Sequence, residues 1–256
     1  MNSLELQNEF EEKGYVKISG FLSDLELHNL KGSIADAQNK VQKESGLNQK
    51  GLVFHSNLFH HSEEIRSFIA QEKVSSIIEG FAKSKIWVRW DQTITKAPGG
   101  NPFPWHRDNA YNTLKAEHFQ LWIALTPMNE QNGGLWLIKG SHKWPKLKHE
   151  KHLNHWEVDL LNVEHEAHVI NANPGDIVVF SSRMLHKTEV NSSNTDRTAY
   201  VVEFMQQNHF DPKVEAPYLF IENGKPKVLK KHPANKWYKS EKSDLIHQKE
   251  HRVRWV

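Results

Sequence analysis

The sequence predicts a mainly β chain with a helical buttress, on the strength of three observations. Apolar residues recur at helical spacing up to about residue 85. From Lys85 onward the pattern changes to period two, and Trp, Val, Ile and Thr take over. Turn signals then separate the alternating runs: Pro98-Gly99-Gly100, Gly133-Gly134 and Pro174-Gly175. Helices first and antiparallel strands afterwards make a β-sandwich or barrel with helices on one side.

Taken in order, Leu4, Leu6 and Phe10 line one face of a short helix, and Gly14–Ile18 alternates as a short strand. Ser23 followed by Glu26 is a capping box, which opens a helix running to about Glu44 and ending before Gly46. A further helix is predicted over Glu63–Phe81. Strands are predicted at Ile86–Thr95, His118–Leu125, Gly134–Ile138, Ala167–Ile170, Asp176–Phe180 and Thr198–Phe204. The expected organisation is one domain over residues 1–256, with a helical buttress (1–85), a β core (86–205) and a C-terminal cap (206–256). The cap is rich in Lys, His and Pro and is expected to be partly irregular.

Composition narrows the chemistry. The chain has no cysteine, which removes disulfides, thiolate zinc sites, iron–sulfur clusters and a thiol nucleophile. Its 33 Lys+Arg nearly balance 31 Asp+Glu, so no dedicated nucleic-acid surface is expected. The acidic N-terminus is not a signal peptide, and no run of residues is apolar enough to span a bilayer. A cytoplasmic protein acting on a small molecule, with no membrane or nucleic-acid partner, is the expectation; the oligomeric state is not legible.

Among 17 histidines, few carry a pattern. His149, His152 and His155 recur every third residue but sit among Lys and Glu, as expected of a solvated segment rather than a closed zinc site. His106 differs: it precedes Asp108 by two in Pro104-Trp105-His106-Arg107-Asp108, and in an extended chain both side chains point the same way. His186 follows an apolar strand, and Arg197 lies eleven residues beyond it. Two histidines and one carboxylate make the facial triad of non-haem Fe(II) oxygenases. An arginine fork opening a barrel strand suits bidentate capture of a carboxylate, although pairing with Asp196 or Glu203 would also satisfy it.

The sequence resembles the phytanoyl-CoA dioxygenase family of Fe(II)/2-oxoglutarate oxygenases over roughly residues 8–205. The resemblance is carried by Phe10–Leu22, by Trp105-His106-Arg107-Asp108, by Leu121–His142 with its Asn-Gly-Gly-Leu and Gly-Ser-His segments, and by Pro174-Gly175-Asp176 with His186 and Arg197. It implies a double-stranded β-helix, a cupin-like jelly-roll barrel. It implies Fe(II), 2-oxoglutarate and O2 as cofactor and cosubstrates, with oxidation of a substrate C–H bond and release of succinate and CO2.

By the same resemblance His106, Asp108 and His186 are the metal ligands and Arg197 holds the distal carboxylate of 2-oxoglutarate. Lys96, Thr93, Thr95, Trp122 and Thr188 are further candidates for cosubstrate contact. Alternation divides the β-strand members of that set, since Thr93 and Thr95 share one face and Gln92 and Lys96 the other. Asp91, Asn109, Asn112 and Phe180 match positions that contact small substrates in relatives; Tyr111 is adjacent, and Arg89 could meet an anionic group. Asp91 with two asparagines suggests a polar substrate, an amine or an amino-acid-like compound. Related halogenases replace the acidic ligand with a small residue, so Asp108 favours hydroxylation. The competing readings are a Zn- or Mn-dependent hydrolase or isomerase, or a non-catalytic binding protein, on the same barrel.

Overall fold

The computed structural model describes residues 3–41, 51–108, 116–145, 147–151, 156–158 and 166–234. The chain begins with α1 (Ser3–Lys13), β1 (Tyr15–Ile18), α2 (Asp24–Lys40), β2 (Leu52–Ser56), α3 (Glu63–Ala70) and α4 (Glu72–Ala82). It continues with β3 (Ile86–Lys96), β4 (Phe103–His106), β5 (His118–Ala124), β6 (Leu135–Ile138), the two-residue strands β7 (Glu150–Lys151) and β8 (Trp156–Glu157), and β9 (Ala167–Val169). It closes with β10 (Ile177–Ser181), β11 (His186–Thr188), β12 (Arg197–Gln206), β13 (Tyr218–Glu222) and β14 (Lys225–Leu229).

Two antiparallel sheets face each other. The larger runs β1-β10-β5-β12-β3-β13-β14, with β2 also paired to β3; the smaller runs β4-β11-β6-β9. This is the jelly-roll architecture, mainly β and antiparallel, with the helices on the outer face of the larger sheet. Ser23 and Glu26 cap α2 reciprocally, as the sequence predicts, and its buried stripe is Leu27, Leu30, Ile34 and Ala37. That stripe joins Ile65, Ile69, Val74 and Ile78 against the outward residues Phe119, Leu121 and Ile123 of β5 and Tyr200, Val202 and Phe204 of β12. The inward residues Trp122, Ala124, Val178, Phe180, Ala199 and Val201 meet Leu135 and Leu137 of the smaller sheet. Every residue of β5 and β10 is therefore buried, which is why these strands are apolar nearly throughout.

Three departures from the sequence reading have physical causes. The helix expected over residues 63–81 is two, because Gln71 takes an extended conformation (ψ 138°) and its carbonyl caps α4 by accepting from Val74 and Ser75. The region after residue 206 is partly irregular, over 207–217 and 230–234, but between these stretches it holds a hairpin that the sequence reading does not place. Its β13–β14 hairpin extends the larger sheet, turning on Asn223 and Gly224 with φ of 51° and 70°. Trp87, Phe210, Tyr218 and Phe220 then close around His232 to plug that end of the barrel.

The third departure is a bulge. Glu203 pairs with Trp90, whereas Phe204 pairs with Val88, so Arg89 is an extra residue on β3. Before the bulge Ile86 and Val88 face the helices; after it Trp90, Gln92 and Ile94 line the barrel interior.

Candidate active site

His106 ends β4 and His186 begins β11, and the two are cross-strand partners on the smaller sheet. Their rings lie 4.0 Å apart, centroid to centroid. His106 Nδ1 is 2.8 Å from the Pro104 carbonyl and His186 Nδ1 is 3.1 Å from the Met184 carbonyl, which assigns the proton to Nδ1 in each. Both Nε2 atoms therefore present lone pairs, as metal ligation requires. Asp108 Oδ1 stands 3.6 Å from His106 Nε2 and 3.7 Å from His186 Nε2, while its Oδ2 accepts from Gln120 Nε2 at 3.0 Å. Ligand atoms of the three residues lie within 4.8 Å of one another, and no other such group occurs among the described residues.

Burial pushes His186 down to about 4, so its ring is neutral at ordinary pH. Burial, reinforced by the Glu203 carboxylate, pushes Asp108 up. A divalent cation would reverse the pressure on Asp108, so two neutral imidazoles and this carboxylate fit an iron ion.

The triad opens into a cavity of about 310 Å³ between the sheets. Behind Thr188 and Trp122 of its wall, Lys96 and Arg197 lie buried opposite one another on β3 and β12. Lys96 Nζ donates to Thr188 Oγ1 at 2.8 Å and to the Glu189 carbonyl. Burial, and then the Arg197 charge, push Lys96 down to about 6. Arg197 donates from Nη2 to the Gly133 carbonyl at 2.8 Å, and its Nε and Nη1 are buried without any acceptor. Its guanidinium lies 5.7 Å from the Trp122 ring. Neither Asp196 nor Glu203 pairs with it. Two orphaned guanidinium donors beside the Lys96 amine suit an anionic group, and the planar fork suits a carboxylate.

The Asn-Gly-Gly-Leu segment shapes this end. Asn132 accepts from Asn129 N and donates to the Pro127 carbonyl, fixing the turn that aims the Gly133 carbonyl at Arg197. Gly133 has a φ of +72°, and a Cβ there would lie 2.5 Å from the Glu189 oxygen and 2.8 Å from Lys96 Cδ. The Gly-Ser-His segment packs behind the triad: Arg107 donates to the Ser141 and Pro145 carbonyls, and Ser141 Oγ accepts from Leu185 N.

Trp122, Thr188 and Phe180 thus line the cavity with the triad, and Lys96 and Arg197 lie buried behind Thr188 and Trp122. Thr93, Thr95 and Asp91 do not, which corrects the expectation that they touch cosubstrate or substrate. They project from the other face of β3, where Thr93 accepts from Gln38 of α2 and Thr95 meets Thr198. Asp91 is fully buried there, accepting from Tyr200 Oη at 2.6 Å and Phe59 N at 3.0 Å. Arg89 does reach the cavity but is engaged by two carboxylates, Asp211 and Glu203, rather than awaiting an anion. Asn109, Tyr111, Asn112, His152 and His155 lie outside the described residues. The sequence reading missed the cavity residues Trp90, Gln120 and Glu203; a lone Glu within Tyr200–Met205, otherwise apolar, was the available signal.

A family model, phytanoyl-CoA dioxygenase (PhyH), matches residues 10–199. The chain belongs to the phytanoyl-CoA dioxygenase family. It is a 2-oxoglutarate-dependent dioxygenase, and its cofactors are iron and 2-oxoglutarate, with O2 as cosubstrate. Among named relatives of this family is the probable alpha-ketoglutarate-dependent hypophosphite dioxygenase of Stutzerimonas stutzeri, 26% identical and covering 78% of this chain and 77% of the relative. Another is the 2-aminoethylphosphonate dioxygenase of an uncultured bacterium, 21% identical, covering 82% of this chain and 84% of its own length. EctD from S. alaskensis, solved with 2-oxoglutarate and 5-hydroxyectoine, shares the fold with a TM-score of 0.69 at 15% identity, over 90% of this chain and 86% of that one. No described helix is long and apolar enough to cross a membrane.

Proposed function

We propose that this dioxygenase hydroxylates a C–H bond of a small polar metabolite, with His106, Asp108 and His186 holding the iron and Arg197 holding the distal carboxylate of 2-oxoglutarate. The observation that carries the reading is the buried guanidinium of Arg197, whose Nε and Nη1 lack acceptors and which lies against Trp122 in the wall of the cavity that also holds the triad. Iron and 2-oxoglutarate, when bound, supply the oxidising chemistry that O2 drives, with succinate and CO2 released. The chain's own residues position these partners. The backbone carbonyls of Pro104 and Met184 keep the two imidazoles in the ligating tautomer. Gln120 orients Asp108. Arg197, with Lys96 and Thr188 beside it, sets how far the dicarboxylate reaches toward the metal. Trp122 and Phe180 keep the cavity wall apolar, which favours exclusion of water from the reacting centre.

Substrate size follows from the cavity, at the lower end of the range for small-molecule sites and shared with a five-carbon cosubstrate. Anaerobic addition of Fe(II) and 2-oxoglutarate should produce the weak visible charge-transfer band of their chelate. Oxygen with a metabolite library should then yield succinate. Absence of both signals refutes the proposal, and His186→Ala should abolish both. Substrate turnover with Zn(II) or Mn(II) and no 2-oxoglutarate would instead support a hydrolase or isomerase.

A further inference from the structure

At the end of the cavity away from Lys96 and Arg197, one row of side chains crosses four strands. Trp90 on β3 is opposite Glu203 on β12, Glu203 is opposite Gln120 on β5, and Gln120 is opposite Phe180 on β10. All four line the cavity. Their hydrogen-bonding capacity is unbalanced. Gln120 donates Nε2 to the metal-ligand candidate Asp108, which fixes the amide orientation and leaves Oε1 buried without a donor. Glu203 engages Arg89 through Oε2 alone, and its Oε1 has no hydrogen-bond partner among the described residues. Arg89 cannot answer a substrate anion readily, because Nε and Nη2 are on Asp211 and Nη1 is on Glu203. The row therefore offers surplus acceptors, one of them anionic, with an aromatic ring at each end; Lys213, which also lines the cavity, sits within the fields of Asp211 and Arg89.

We infer that the substrate carries an ammonium group, bound by Glu203 with Gln120 and flanked by Trp90. A carboxylate supplies the charge, the amide oxygen accepts a second N–H, and the indole face suits a cation. Because Gln120 also holds Asp108, an ammonium there places neighbouring C–H bonds beside the triad. The inference rests on the dioxygenase reading for what happens next, but not for binding itself.

The test uses the full chain with Fe(II) and 2-oxoglutarate, kept anaerobic, and calorimetric titration with n-butylammonium, n-butanol and butyrate as probes. The charge-transfer band of the loaded protein reports the dioxygenase reading separately: no band fails that reading, whereas a band with no ammonium preference fails only this one. Butylammonium should bind in preference to both isosteres. Glu203→Gln should weaken it at least about tenfold, the scale of a hydrogen bond to a charged group, with the 2-oxoglutarate titration unchanged. Trp90→Leu should also lose affinity for the ammonium, giving a second arm should Glu203→Gln fail to fold. Asp211→Asn, which loosens Arg89 from the far side, should retain ammonium binding. Equal binding of the three probes, no binding by any, or butylammonium affinity indifferent to both Glu203→Gln and Trp90→Leu overturns the inference.

Discussion

The two ends of the cavity are built from the same three strands and have opposite chemistry. At one end, behind Thr188 and Trp122, β3 and β12 contribute Lys96 and Arg197, the guanidinium with donors to spare. Six residues further along β12, about 20 Å at strand rise, the same pair of strands contributes Trp90 and Glu203, and β5 adds Gln120, with acceptors to spare. The metal-ligand candidates come from the other sheet. Each end lacks what a ligand would bring: an anion at the first, a cation or hydrogen-bond donor at the second. The contrast shows how one sheet encodes two specificities, by changing which polar residue interrupts an apolar strand while the backbone stays regular.

The largest effect should come from the cationic end. Arg197→Ala should weaken 2-oxoglutarate on the order of a hundredfold, as loss of a buried charge partner does, when the charge-transfer band is titrated anaerobically; iron binding should be retained. An unchanged titration would place the cosubstrate elsewhere. Gly133→Ala should weaken the same titration about tenfold by overpacking and lower Tm, since its Cβ meets Lys96 Cδ and the Glu189 carbonyl. Thr188→Val removes the hydroxyl that accepts from Lys96 and should cost a few-fold in 2-oxoglutarate affinity, roughly 1 kcal/mol. Thr93→Val and Thr95→Val, on the opposite face of β3, should leave that affinity alone; a loss there would contradict the assignment of faces.

Asp91 should affect ligand binding least and stability in a pH-dependent way. Burial raises its pKa from 3.8 to about 7, despite the hydrogen bond from Tyr200. The folded state therefore holds a proton that the unfolded state releases between about pH 4 and 7, and this contribution to stability falls as pH rises through that window. Asp91→Asn should flatten that slope, so that its stability relative to the parent increases from pH 5 to 8 in denaturant titrations. A parallel pH dependence in both proteins would show that Asp91 is ionised throughout.

Local motifs were legible in the sequence, and parity across irregularities was not. His106-x-Asp108 is readable because alternation over two residues needs no long-range information, and Arg197 because it opens an apolar strand. The choice between Thr93/Thr95 and Lys96 depended on which face of β3 looks inward, which periodicity alone leaves open when both faces are covered. Position in the resemblance points Asp91 toward the cavity, whereas the opposite face of the sheet holds it, through Tyr200 and the Phe59 amide. Asn223-Gly224 did carry a hairpin signal, hidden in a segment dominated by Lys, His and Pro. The break at Gln71 has no Gly or Pro to announce it.

The extra residue at Arg89 also has a consequence for how this gene can change length. Val88 and Trp90 share parity yet face opposite sides of the sheet, because one residue between them is unpaired. Deleting the Arg89 codon alone would restore strict alternation and leave both halves of β3 on their present faces, because Val88 and Trp90 would then be neighbours as Phe204 and Glu203 are. The loss would be chemical instead: Glu203 and Asp211 would be left buried without their guanidinium partner.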